Sequence, residues 1–221
     1  MKKILTISIL IAAMLCTGLG ATAQNRYGVI GGFSFSQASE VGNRGTTTRY
    51  NAGVTYQLKL PMGFSIQPSL MYHSKGVRAG RIADLPGTNM DLTIGYLELP
   101  VSFQWGPDLL LFRPFLDVTP YIGVGLNNKI SCKGAAEAES FTGKNIWQAA
   151  GVSRMEYGLG VGIGVEIWRF QIIGRYNWNF GPLYRDNPNI DTASQAAWFM
   201  ENAFGEGGNF KGLTLSVSFL F

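Results

Sequence analysis

Asn-Phe-Lys-Gly-Leu-Thr-Leu-Ser-Val-Ser-Phe-Leu-Phe, residues 209–221, ends the chain and decides how the rest is read. Leu213, Leu215, Val217, Phe219 and Phe221 fall on one parity. Gly212, Thr214, Ser216 and Ser218 fall on the other, with Leu220 the one exception. A period of two belongs to a strand and not to a helix. One face is apolar and the other is small and polar. In a soluble sheet the apolar face would be the core. In a membrane barrel it faces lipid, and the polar face lines the interior.

Seven further stretches alternate in the same way: 26–37, 50–60, 64–75, 91–105, 120–131, 154–168 and 170–180. The clearest sets Tyr157, Leu159, Val161, Ile163, Val165 and Ile167 against Glu156, Gly158, Gly160, Gly162, Gly164 and Glu166. The fifth is hard to start, because Pro114 and Pro120 disfavour a central ladder; its firm part is placed at 120–131. The connections alternate long and short, with short ones at 61–63, 106–112 and 168–170. Short inner turns and long outer loops are the habit of outer-membrane barrels. Strands this long exceed the usual globular five or six residues and match a tilted membrane strand. Tyr27, Tyr50, Phe64, Tyr72, Trp105, Tyr157, Trp178, Phe180 and Phe221 sit near strand ends, as an aromatic girdle would. The expected fold is therefore all-β. It is an eight-stranded antiparallel up-and-down transmembrane barrel, with short periplasmic turns, long extracellular loops and both termini periplasmic.

The amino terminus reads as a targeting segment. Lys2 and Lys3 precede a short apolar run at 4–15, and Ala21-Thr22-Ala23 places small residues before Gln24. That predicts a cleaved signal peptide over 1–23 and a barrel domain over 24–221. Cys16 raises a lipoprotein alternative, which the bulky Leu15 before it disfavours. Loss of Lys2 and Lys3 takes the formal charge from +4 to +2, which is no basis for nucleic-acid binding. Cys132 would then be the only cysteine, so no internal disulfide is expected. The chain is rich in glycine (29 residues) and only 14% charged, as suits a barrel.

Gly95-Tyr96-Leu97-Glu98-Leu99-Pro100-Val101, followed by Pro120-Tyr121-Ile122-Gly123-Val124-Gly125, resembles the PorT-like outer-membrane barrels of Bacteroidetes-type bacteria. The overall plan is also similar to the small OmpX and OmpA barrels. The resemblance implies the outer membrane as location and little about activity. It leaves room for an accessory role in protein secretion.

The inward parity assigns Arg26, Lys59, His73, Lys75, Glu98, Glu156, Glu166 and Arg175 to the barrel interior. Buried charges must pair, so an internal ion network is expected, with a narrow gated conduit as the alternative. Glu166 and Arg175 flank one short turn on one parity and are expected to pair, directly or through Glu98. His73 is the only histidine. The alternative of a barrel-embedded lipid-modifying or proteolytic enzyme using His73 would need it beside a nucleophile, but Ser69, four residues away in a strand, lies about 13 Å off. The glycines at 158–164 are expected to make room for large side chains such as Met71, Gln67 or Tyr121. Residues 135–139 and 192–200 have helix-forming composition, and Trp198, Phe199 and Met200 are candidates for a surface contact. No Cys/His/Asp cluster has metal spacing.

The reading is a monomeric outer-membrane barrel acting as a membrane scaffold or through its surface loops, in interaction or adhesion, without enzymatic chemistry, cofactor or nucleic-acid partner. Its expected partners are outer-membrane lipid, the barrel-assembly machinery, for which Phe221 is the signal, and a protein met through the extracellular loops.

Overall fold

The computed structural model describes residues 25–38, 44–45, 47–82, 85–133, 141–144, 154–181 and 210–221. Eight long strands dominate it: β1 (Asn25–Ala38), β2 (Thr47–Lys59), β3 (Phe64–Ile82), β4 (Leu85–Trp105), β5 (Arg113–Lys133), β6 (Met155–Ile167), β7 (Phe170–Asn179) and β8 (Phe210–Leu220). Each pairs antiparallel with its neighbours in sequence. β1 pairs with β8 from Gly28↔Leu220 to Ala38↔Phe210, and so closes the barrel. Closure leaves no edge strand, and every strand finds its backbone partners within the wall.

The alternation read from the sequence is the alternation of the wall. Val29, Val54, Leu70, Leu99, Val161 and Leu215 point outward and are exposed. The inward positions are polar and sealed: Gln57, Asp117, Gln171 and Ser218 have 0% exposure. The core is thus polar and the surface apolar, the reverse of a soluble protein and the requirement of lipid as solvent. Leu220, the exception to the alternation, points inward and is fully buried. It lies against Gly28, where a Cβ would meet its Cδ2 at 2.8 Å.

Aromatic pairs mark two levels. Tyr27–Tyr56, Phe64–Trp105, Phe170–Phe219 and Phe219–Phe221 ring the end that carries the termini. Tyr50–Tyr72 and Tyr176–Trp178 lie toward the other end. The short connections 60–63, 106–112 and 168–169 all lie at the terminal end.

Three boundaries differ from expectation. β5 begins at Arg113 and not at 120, with Pro114 and Pro120 inside it. Each central proline costs its strand part of one ladder and leaves the other intact. The β4–β5 pairing is interrupted between Pro100↔Tyr121 and Phe103↔Val118, at Pro120, and resumes in the same register, while β5–β6 runs unbroken through Pro120↔Leu159. Pro68 does the same on its β2 side, where the pairing is interrupted between Thr55↔Ser69 and Leu58↔Ile66. Secondly, the stretch 76–90, expected as a loop, continues β3 and β4 as a ladder to Ile82↔Leu85. Beyond the lipid a hairpin has no apolar side to keep, so its alternation fades while its pairing persists. Thirdly, β5 runs on past the expected end at 131 to Lys133, so that Cys132 lies in it, opposite Met90. Short strands Arg44–Gly45 and Phe141–Lys144 add to β3 and β5 at the same end. Residues 1–23 and Trp198, Phe199 and Met200 lie outside the described residues, as do the helix-like stretches 135–139 and 192–200.

Candidate functional site: the polar lumen

The lumen is built in three storeys. At the terminal end Glu166, the next-to-last residue of β6, is the hub. Arg26 Nη1 donates to its Oε1 at 2.7 Å, Lys59 Nζ lies 2.9 Å from the same oxygen, and Gln57 Nε2 donates to Oε2 at 3.0 Å. Arg113 Nη1 lies 3.5 Å from Oε2. Arg113 also donates to Ser65 Oγ at 3.1 Å and to the Gly63 carbonyl at 2.9 Å. Above this hub a glutamine layer crosses the barrel. Gln171 Nε2 donates to Gln104 Oε1 at 3.2 Å, and Gln104 Nε2 donates to Gln67 Oε1 at 3.0 Å.

The middle storey is Arg175. Its Nε donates to Asp117 Oδ2 at 2.7 Å and its Nη2 to Ser102 Oγ at 2.8 Å. Thr119 donates to the same Asp117 oxygen at 2.8 Å. The upper storey centres on Lys75, whose Nζ lies 2.7 Å from Glu98 Oε1 and 2.9 Å from Glu156 Oε2. The same ammonium sits 4.7 Å from the Tyr121 ring centroid, a further favourable contact for a desolvated cation. His73 Nδ1 is 2.9 Å from Glu98 Oε2, and Asn179 Nδ2 donates to Glu156 Oε2 at 3.0 Å. His73 Nε2 has no partner among the described residues, and His73 lines a narrow cavity with Asn51, Arg175 and Thr214.

All eight residues placed inside by parity are in this network, but not as one cluster. Glu166 and Arg175 do not pair. Glu166 stands opposite Gln171, and Arg175 is four residues further along β7, about 13 Å away. Glu98 belongs to the upper storey and does not bridge them. A β5 that starts at 120 leaves Asp117 and Arg113 outside the inward set. Extending the parity of Tyr121 backward through Thr119 reaches both. The glycine expectation is met at Tyr121, whose ring lies on Gly158, whereas Met71 lies against Gly53. Ser69 Oγ donates to Thr55 Oγ1 at 2.8 Å and makes no pair with His73.

Residues 22–185 match the family of outer membrane protein β-barrel domains. The chain belongs to that family. It is an outer-membrane protein. Neisserial surface protein A has a similar structure over 88% of this chain and 97% of its own, at 14% identity and a TM-score of 0.42. Ail of Yersinia pestis, crystallised with the heparin analogue sucrose octasulfate, is similar over 89% and 99%, at 11% identity and a TM-score of 0.42. The N-terminal β-barrel domain of Pseudomonas aeruginosa OprF is similar over 90% and 100%, at 11% identity and a TM-score of 0.35. These likenesses concern the fold alone. No curated protein matches the chain in sequence.

Proposed function

We propose that this protein is a non-conducting membrane scaffold that acts through its outer loops. The observation that carries this is the glutamine layer: Gln67, Gln104 and Gln171 are each at most 1% exposed and are bonded in a chain across the lumen just above the Glu166 hub. A lumen filled by mutually bonded side chains leaves no aqueous path and holds the wall rigid. The pairing of Ser69 with Thr55, away from His73, supports a role without acyl-transfer chemistry. In planar bilayers the purified protein is expected to leave the membrane resistance unchanged. A steady, reproducible channel current would overturn this reading. The finer likeness to PorT-like barrels makes a component of a protein-secretion machine the partner to seek, by crosslinking from intact outer membranes and identification of what is captured.

A further inference from the structure

The inner turns carry a feature that neither barrel closure nor a packed lumen requires. Each of the three is tipped by a large apolar side chain. They are Met62 at 87% exposure, Leu110 and Leu111 at 101% and 80%, and Trp168 at 73%. The most exposed apolar side chain on the barrel wall, Ile163, reaches only 68%. Turn geometry does not explain the choice. Met62 has φ 64 and Trp168 has φ 56, in the left-handed region where glycine or asparagine sits at less cost. Nor does packing, since the tips are almost bare.

Exposed apolar side chains run on from these tips into the lipid-facing wall. Phe64 and Trp105 are exposed at the feet of their strands, Ile167 and Phe170 flank Trp168, and Phe112 leads from the leucines into β5. At the opposite rim the exposed positions turn polar instead, with Thr48, Asn127, Lys129, Arg154 and Lys211. The exposed charges at the turns suit a headgroup layer. Arg169 stacks 5.2 Å from the Trp168 ring centroid, an aromatic–cation pair of the kind that settles where acyl chains meet phosphates. Asp108, exposed at 61% of its side chain, lies 3.5 Å from Arg113 and 3.9 Å from Lys59, so its charge is met by two cations of the barrel foot.

The geometry points to an apolar foot: the three turns are seated in the periplasmic leaflet of the outer membrane, among phospholipid headgroups, and do not project into the periplasm. The occupant of this surface is lipid because the surface continues the lipid-facing wall. The inference is independent of whether the lumen conducts.

The test is a fluorescent reporter. Leu110→Cys, in a Cys16→Ser/Cys132→Ser background, is labelled with an environment-sensitive dye and inserted into phosphatidylethanolamine/phosphatidylglycerol vesicles. Heat-modifiable gel mobility verifies folding. Met62→Cys supplies a second position should the first fail to fold, and Lys211→Cys reports the polar rim. The expected result is a blue-shifted emission at 110 and 62 relative to 211, quenched more by lipid carrying its quencher near the headgroup than at the chain end. Emission at 110 and 62 matching that at 211 overturns the proposal. So does a blue shift that appears only when periplasmic extract is added, which would assign the foot to a soluble protein.

Discussion

Arg175 reaches Asp117 across a glycine. Asp117 stands opposite Gly162 on β6, and Gly162 stands opposite Arg175 on β7, so the three form one row across the wall. With no side chain at its centre, the row lets the guanidinium close on the carboxylate at 2.7 Å, with Asp117 at 0% exposure. Glu98, Gly123 and Glu156 form a similar row, in which Lys75 spans the two carboxylates.

Removing one member of the Arg175–Asp117 pair leaves a buried charge without its partner. Asp117→Asn and Arg175→Met are each expected to cost about 3–5 kcal/mol. The double variant is expected to cost less than the two singles summed. Urea unfolding of the barrel in phospholipid vesicles measures all three. Additive losses would show that the pair is not coupled. Adding Glu166→Gln to either single variant is expected to be additive, because Glu166 belongs to another storey.

Around Glu166 the cations are unequal. Lys59 is partly exposed, with 21% of its side chain accessible, and Arg113 is sealed at 4%. Lys59→Ala is expected to cost about 0–1 kcal/mol, as exposed pairs do. Glu166→Gln strips the counter-ion from three cations at once and is expected to cost about 3–5 kcal/mol. The same unfolding measurement ranks them, and a Lys59 variant as damaging as the Glu166 variant would contradict the hub.

Much of this was legible in the chain because lipid imposes period two on every wall residue. Parity alone sends Glu98, Glu156 and Glu166 inward, and the short turns at 61–63 and 168–170 fix the connectivity. Legibility failed where that constraint lapsed. Above the lipid the β3–β4 hairpin keeps its ladder without alternation, so 76–90 looked like loop. At β5 the prolines signal a break that a barrel strand absorbs on one side only, and Asp117 lies just before that apparent break. Ion pairing within the lumen was not legible from parity. It depends on which residues share a row, and therefore on the register of neighbouring strands.

The glycines of β6 yield a paired test. A Cβ at Gly164 would collide with the Phe115 ring, whereas a Cβ at Gly174, the residue facing Ile163 on the next strand, meets nothing within 4 Å. Gly164→Ala is expected to cost about 1–3 kcal/mol by overpacking, and Gly174→Ala to be neutral or slightly stabilising. Equal effects at the two sites would mean that the interior has slack.

Cys132 lies in the part of β5 that carries the ladder beyond the wall, opposite Met90 and Phe141. A membrane-impermeant thiol reagent applied to intact cells is expected to label it. Labelling that appears only after the outer membrane is ruptured would invert the topology.

The last residue separates stability from assembly. Phe221 donates its backbone N–H to the Tyr27 carbonyl at 2.8 Å, and its ring lies 5.8 Å from that of Phe219. The ring is 58% exposed, so deleting it forfeits about 1–2 kcal/mol of apolar contact. Loss of the hydrogen bond at the rim adds about 1 kcal/mol. The closing register from Gly28↔Leu220 to Ala38↔Phe210 does not involve Phe221, so purified protein lacking it is expected to refold in detergent with normal heat-modifiable mobility. In cells the outcome is expected to differ. The resemblance to outer-membrane barrels implies that a terminal aromatic on an amphipathic strand is what the assembly machinery reads. Phe221, with Phe219, Val217 and Leu215 continuing its face, fits that demand. The truncated chain is therefore expected to accumulate unfolded in the periplasm, measured by fractionation and protease sensitivity. Normal levels in the outer membrane would reduce Phe221 to a packing residue. Failure to refold in detergent would make it part of barrel closure.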